Sequence, residues 1–246
     1  MTALVAGCGR VAFDPLSDGR AGDDAVTDGS SLTFCETVMP PPTFCADFDS
    51  SLDPMVGFSS ALLMNGGRVS VSPMAFSGRG SLESAFDDPP TPGQYTTATL
   101  IYEAQAPVSS IALDYEVYFP ARPTSGSHIE SQDIAIATAS GTFFYDLDIF
   151  PNAPDHFLQE LSAGTFMVNN VNIPQVSTGV WHHVRMTLDL AAATHTFAID
   201  GSTLSSGPTN FPLIPGVPRL EAGINYEINS PTGNKIYVDN LVLYWQ

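Results

Sequence analysis

The sequence predicts an all-β protein built as a two-sheet antiparallel sandwich, and three observations carry that prediction. The first is the stretch Trp181–Gly201, WHHVRMTLDLAAATHTFAIDG. Val184, Met186 and Leu188 alternate there with Arg185, Thr187 and Asp189. Phe197 and Ile199 then alternate with Thr196, Ala198 and Asp200, and the turn dipeptide Asp200-Gly201 closes the unit. The second observation is that about a dozen segments read this way while none shows a convincing helical period. The third is that 20 Pro and 20 Gly are spread over the 246 residues rather than gathered in a linker, which suits short strands joined by turns.

Taken in order, Phe44, Ala46 and Phe48 alternate with Cys45, Asp47 and Asp49 in a first strand. Gly78–Phe86 is a glycine-rich turn leading into a second, and Thr97–Glu103 follows. In Ile111–Phe119, residues Ile111, Leu113, Tyr115, Val117 and Phe119 share one face, and Asp114, Glu116 and Tyr118 take the other. After Ile134–Ala137, the segment Thr142–Phe150 sets Phe143, Tyr145, Leu147 and Ile149 against Phe144, Asp146, Asp148 and Phe150. Phe157–Leu161, Phe166–Val168, the Trp181 hairpin, Arg219–Tyr226 and Lys235–Trp245 complete the series. The folded domain is expected over 34–246, and one core of that size can bury most of its apolar surface.

The formal net charge is −18, with Lys235 the only lysine, and only a local −3 belongs to residues 9–33. The folded body is therefore acidic. Phosphate backbones and anionic lipid surfaces are repelled by it, so nucleic acid is not an expected partner. No run of eighteen apolar residues offers a membrane-spanning helix. Residues 9–33, with Asp14, Asp18, Asp23, Asp24 and Asp28 and few apolar anchors, read as a flexible tether.

Cys35 and Cys45 bracket a loop stiffened by Pro40, Pro41 and Pro42. A disulfide there implies an oxidising compartment; the alternative is two free thiols, and no third or fourth Cys or His is spaced nearby for a metal. Leu4-Val5-Ala6-Gly7-Cys8 resembles the lipobox of bacterial lipoproteins, which makes 1–8 the remnant of a signal segment and Cys8 the lipidated residue. Membrane contact would then be through that anchor alone. Only seven residues precede Cys8, so either translation starts further upstream or the match is chance.

The Trp181 hairpin, W-H-H-V-x-hydrophobic followed by F-x-I-D-G, resembles two neighbouring strands of the laminin-G-like and concanavalin A-like jelly rolls. G-R-G-S-L (78–82) and the closing K-I-Y-V-D-N-L-V-L-Y-W (235–245) resemble further strands of that superfamily. The resemblance covers about residues 44–245 and implies an extracytoplasmic jelly roll, in keeping with a bacterial cell-envelope lipoprotein. It also implies a structural Ca²⁺ tying first strand to last through Asp47 or Asp49 and Asp239; hard oxygen ligands suit that ion. The competing reading is that Asp239-Asn240 makes only local backbone hydrogen bonds.

Chemistry has few candidates. Asp114/Glu116 and Asp146/Asp148 are spaced i, i+2, so each pair leaves one side of its sheet with Cα atoms about 7 Å apart, compatible with a glycosidase acid and its partner. The E-x-D-x-x-E of jelly-roll glucanases is absent, as are the R-x-E-L-R, Q-[IV]-H and Y-x-K-x-G motifs of alginate-lyase-like members, and no G-x-S-x-G supports a Ser-His-Asp triad. Sugar binding asks for aromatic rings and a few orienting polar groups. Tyr118, Phe144 and Phe150 fall on the same strand faces as those carboxylates, with His183 and Arg185 able to join them. The expected function is thus recognition of a polysaccharide or other glycan without catalysis. The alternatives are a diverged glycoside hydrolase or polysaccharide lyase, and a structural or adhesive module that contacts protein.

Overall fold

Alternation decides what each strand buries. In Trp181–Asp189, His182, Val184, Met186 and Leu188 are buried while Trp181, His183, Arg185 and Thr187 stay half-exposed. The computed structural model describes residues 32–86, 94–124, 127–211, 216–228 and 234–246. Cys8 and residues 9–31 of the acidic segment, to which the lipid-anchor and tether expectations belong, lie outside the described residues.

A one-turn helix, Phe34–Thr37 (α1), comes first. The strands then run Phe44–Ala46 (β1), Ser60–Met64 (β2), Gly67–Ser72 (β3), Ser81–Phe86 (β4), Tyr95–Glu103 (β5), Ser110–Tyr118 (β6), Ile129–Thr138 (β7) and Gly141–Ile149 (β8). They continue as Asp155–Ala163 (β9), Thr165–Ile173 (β10), Trp181–Asp189 (β11), Thr194–Ile199 (β12), Ser202–Pro208 (β13), Val217–Ile228 (β14) and Lys235–Trp245 (β15). One sheet has the order β13-β12-β11-β6-β15-β4-β3, with β1 paired to the far half of β15. The other has the order β10-β9-β8-β7-β14-β5-β2. This is the antiparallel two-sheet sandwich that the alternation predicts.

The inward faces meet as predicted. Val117, Tyr115, Val184, Met186 and Phe197 are fully buried. Phe157 of β9 stacks on Phe197 of β12 with ring centroids 4.9 Å apart, one of the contacts that joins the two sheets.

Four elements were not legible. β2, β3 and β13 lie at or near sheet edges, where neither face is fully buried, so their residues carry little apolar-polar contrast. The short helix α1 is closed by Glu36, whose Oε2 accepts from Thr33 N at 2.8 Å. The first strand is also shorter than its alternation suggests, because Phe48 takes a positive φ of 57°.

Cys35 of α1 and Cys45 of β1 form the disulfide, at a sequence separation of 10. Closing so short a loop contributes roughly 3 kcal/mol on the chain-entropy relation. Reductant is accordingly expected to lower the urea midpoint of the folded protein. Superimposable unfolding curves with and without reductant would show that the loop is held by packing alone.

Two strands carry bulges that matter for the site. Along β7, Ile129 and Ser131 face inward and Glu130 outward; Gln132, with a φ of 56°, is then interpolated. Ile134 and Ile136 consequently return to the core, and Glu130 and Asp133 share the outer face despite their opposite parity. In β14 a register shift between Ile224 and Tyr226 turns Tyr226 outward in the same way. Gly223 sits at the preceding irregularity, between Glu221 and Ile224, with a φ of 129°, where a Cβ would lie 2.3 Å from the Ala98 carbonyl oxygen. Only glycine fits there.

Candidate functional site

The eight ligand-binding residues expected from sequence divide between the two outer faces. Asp114, Glu116 and Tyr118 of β6 and His183 and Arg185 of β11 lie together on one sheet. Phe144, Asp146 and Asp148 of β8 lie on the other, facing away from them.

On the first face the register sets His183 opposite Glu116, Arg185 opposite Asp114 and Trp181 opposite Tyr118. His183 is held between two carboxylates, with Nδ1 3.0 Å from Glu116 Oε1 and Nε2 3.4 Å from Asp114 Oδ1. These hydrogen bonds, to Asp114 first and then Glu116, push its pKa up to about 9 against the opposing effect of burial. At neutral pH the ring is an imidazolium with both N–H groups donated, so it offers neither a base nor a metal ligand. Arg185 Nε lies 3.7 Å from Asp114 Oδ1. This cluster fastens β6 to β11. Beside it Tyr118, Trp181, Tyr237 and the exposed Phe76 form an aromatic group with centroid separations of 5.6–6.0 Å.

The buried neighbour His182 meets Asp200 Oδ2 through Nδ1 at 2.7 Å, and its Nε2 is 2.9 Å from Ser177 Oγ. The trio looks like a nucleophilic triad, but Nε2 is also 3.0 Å from the Ser177 carbonyl oxygen. The ring is buried, and Ser177 meets it through both its hydroxyl and its carbonyl oxygen, so the trio is closed upon itself. His182 is a clamp, and Asp200 Oδ1, which accepts from His183 N at 3.0 Å, completes it. The Asp-Gly turn of the hairpin is thereby tied to the start of β11.

The second face is built differently. Tyr145 and Leu147 point into the core, so Asp146 and Asp148 point out, yet they are only 1% and 3% exposed. Outward residues this buried mark a face recessed at its centre, screened by the half-exposed Glu130, Phe144 and Glu160. Register places Glu130 of β7 directly opposite Asp148 and Asp148 opposite His156 of β9. Asp133 lies opposite Glu221 of β14, and Phe144 opposite Glu160. The sequence reading found Asp146, Asp148 and Phe144 here and missed the other members.

These carboxyls are electrostatically unlike those of the first sheet. Burial, reinforced by the charges of Glu130, Asp155 and Glu160, pushes Asp148 up to about 8 even though His128 opposes it. Burial and the neighbours Glu130, Asp133, Asp148 and Glu160 raise Asp146 well above the usual carboxylate range. Asp133 is raised by burial and by Glu221, and Glu160 is pushed up to about 7 by burial and by Glu130. The Oδ1 atoms of Asp146 and Asp148 have no hydrogen-bond partner among the described residues. Asp133, by contrast, accepts from Tyr145 N at 3.2 Å and from Asn225 Nδ2 at 3.0 Å. Arg219 is ion-paired to Glu221.

An aromatic row borders the carboxyls at the strand ends, one ring from each of five neighbouring chain segments: His156, Phe150, His128, Tyr226 and Tyr95. Successive centroids are 4.6 Å apart for Phe150–His156 and 5.4 Å for each of the other pairs. Phe150, His128, Tyr226 and Tyr95 are stacked face on face, at 21–29°, so they present ring edges outward. His128 sits inside this stack with Nε2 3.3 Å from Glu130 Oε1. Burial works against its charge, but that hydrogen bond and the charges of Asp148, Glu130 and Glu227 prevail and raise its pKa. Phe150 is fixed by Arg122, whose Nη1 donates to the Phe150 carbonyl at 2.6 Å and to Asp155 Oδ1 at 2.7 Å. An open hollow of about 400 Å³ adjoins the row, lined by Ser127, His128, Phe150, Pro151, Asn152 and Ala153.

Of the aspartates expected to hold calcium, Asp49 and Asp239 both reach the 76–80 loop. Asp239 Oδ2 accepts from Phe76 N and Ser77 N at 2.9 and 3.1 Å, and its Oδ1 from Asn240 N at 2.8 Å. Asp49 Oδ1 accepts from Arg79 N and Gly80 N. Asp47 instead accepts from Cys35 N at 3.0 Å. Each of these aspartates accepts from backbone N–H groups, and no three Asp, Glu, His or Cys side chains gather among the described residues, so a calcium shell here would draw mostly on backbone carbonyls. Asp49 and Asp239 together clamp the 76–80 loop.

The chain matches no protein-family model and no curated protein sequence. Solved structures do share its architecture. The endo-β-1,4-glucuronan lyase of the fungus Trichoderma reesei aligns with a TM-score of 0.60 at 12% identity, over 83% of this chain and 96% of that one. A Bacteroides ovatus mixed-linkage-glucan GH16 protein in complex with a G4G4G3G product gives 0.58 at 11% identity, over 81% and 99%. The cellulose-induced protein Cip1 gives 0.55 at 15% identity, over 81% and 96%.

Proposed function

From a concanavalin A-like jelly roll with a recessed acidic face on one sheet, we propose that this face binds a glycan and hydrolyses a glycosidic bond. The observation that carries the reading is the Glu130–Asp148 pair, directly opposed on adjacent strands. Side chains so placed have Cβ atoms about 4.5–5.5 Å apart, near enough for both carboxyls to reach one glycosidic bond, as the acid and nucleophile of a retaining glycosidase must.

Asp148, with a pKa of about 8, holds a proton at neutral pH and gives it to the glycosidic oxygen as the C–O bond breaks. Glu130, oriented by the His128 N–H, attacks the anomeric carbon and forms a glycosyl ester. Water, losing a proton to Asp148, then releases the sugar and regenerates both groups.

Recognition without catalysis is the weaker reading of the same face. The stacked rings Phe150, His128, Tyr226 and Tyr95 turn their edges outward, whereas a saccharide platform needs open ring faces. A pure binding surface also gains nothing from carboxyls held protonated at the expense of stability. The disulfide supports an oxidising, extracytoplasmic setting.

Product analysis tests the proposal. Incubation with neutral, amino and uronic oligosaccharides is expected to release reducing ends, and proton NMR of the first product should show retention at the anomeric carbon. Binding with no new reducing ends would favour recognition alone, and unsaturated uronates would point to a lyase.

A further inference from the structure

The recessed face carries Glu130 and Asp133 on β7, Asp146 and Asp148 on β8, Glu160 on β9 and Glu221 on β14. The cations beside them are already engaged: Arg219 with Glu221, Arg122 with Asp155, and His128 with Glu130. His156, the other titratable group in the aromatic row, has its pKa lowered by burial and is neutral at pH 7. At the centre, the Oδ1 atoms of Asp146 and Asp148 are buried and accept no hydrogen bond from the described residues. A buried carboxyl oxygen without a donor from the protein is expensive, and a ligand N–H that reached it would offset that cost. No three of the side chains converge on one metal position among the described residues. They are spread over four adjacent strands instead, as a ligand with several separated charges would require.

We infer that the glycan taken by this face is polycationic, a hexosamine polymer with free amino groups. The inference rests on the reading of the face as a glycan site. Ammonium groups donate to the unpartnered oxygens and relieve the repulsion among the carboxyls. Hydroxyls of a neutral glycan can do the first but not the second. The carboxylates of a polyuronate would add to the repulsion, and the face holds no disengaged Arg or Lys among the described residues to receive them.

The cation also biases protonation, since it favours the ionised form of Asp146 and so drives a proton off that group as it binds, while Asp148 keeps the proton it gives to the leaving oxygen. The titratable and charged groups that face this pair are Glu130, Asp133, Glu160, Glu221, Asp155, His128, His156, Arg219 and Arg122.

Titration calorimetry of the full chain with a fully de-N-acetylated glucosamine hexamer and with its N-acetylated counterpart tests this on one backbone. The free-amine form is expected to bind at least about tenfold more tightly at low salt, to weaken as salt is raised, and to release protons, read as a binding enthalpy that depends on the buffer near pH 7. Asp146→Asn should reduce the preference to about twofold or less without lowering the melting temperature. If that variant fails to fold, the two hexamers on the unmodified protein decide the matter alone. Equal affinity for both hexamers, or tighter binding of an oligoguluronate, overturns the inference. Retaining cleavage of neutral or acetylated oligomers with no amine preference overturns it while leaving the hydrolase reading standing. Tight amine-dependent binding without cleavage supports the inference and removes the hydrolase reading, and no binding of any hexamer overturns both.

Discussion

Glu130→Gln and Asp148→Asn are each expected to lower glycan turnover by about a thousandfold, within the range that a positioned acid or nucleophile supplies. Both replacements keep shape and hydrogen-bonding capacity. The amide of the first variant cannot form the glycosyl ester, and that of the second has no acidic proton for the leaving oxygen. Since the two groups act on successive bonds of one reaction, the double variant should be little worse than either single one. Glu116→Gln on the opposite sheet is the control, because its partner His183 belongs to an ion cluster remote from the reacting pair, and turnover should stay within about threefold of the unmodified protein. Loss of turnover in Glu116→Gln with none in Asp148→Asn would move the active site to the other face. Initial rates from a reducing-end assay, with circular dichroism to confirm folding, separate these outcomes.

The protein is also expected to be more stable in mild acid than at slightly alkaline pH. Asp133, Asp146, Asp148, Glu160 and Asp239 all have folded-state pKa values raised chiefly by burial, with Asp148 at about 8 and Glu160 and Asp239 at about 7. An acid whose pKa is raised on folding contributes stability that is complete below its unfolded value near 4 and is lost as pH rises through the folded value. His183, raised to about 9 by Asp114 and Glu116, acts in the same direction from about 6.5 upward. His156 and His195, lowered by burial, oppose it in the acid range. The several carboxyls outweigh them, and the melting temperature should fall by about 10 °C between pH 5 and pH 8.5, given that 1 kcal/mol moves it by about 2–4 °C in a chain of this size. Asp148→Asn should recover part of that loss at pH 8.5 and almost none at pH 5. A melting temperature that rises with pH over this window would mean that the carboxyls are better solvated than their burial indicates.

The fold was legible because each core strand announces its inward face. Val117, Val184, Met186 and Phe197 follow the period of two without interruption, and burial agrees residue by residue. Sheet membership was not legible. Asp114/Glu116 and Asp146/Asp148 look equivalent in sequence, since local alternation tells which residues share a face but not which strands are neighbours. Long-range pairing puts β6 between β11 and β15 and β8 between β7 and β9, so the two pairs end on opposite sides of the sandwich. Glu130 was missed for a different reason. The extra residue Gln132 breaks parity within β7, and with it the pattern that would have joined His128-Ile129-Glu130 to Ile134–Ala137. Asp133 lies just past the same break, on the opposite parity from Glu130, so alternation does not join the two. Tyr226 is hidden by the same kind of break in β14.

The position of β15 has a consequence for how the chain reaches this state. It lies between β6 and β4 and also receives β1, so residues 235–245 form the spine against which elements nearly two hundred positions earlier must dock. The two halves of that sheet, β13-β12-β11-β6 and β4-β3, join only through this segment. Completing the sheet therefore depends on distant pairings, which are slow to find. A polypeptide whose sheet is completed so slowly is well suited to being threaded across a membrane before it folds.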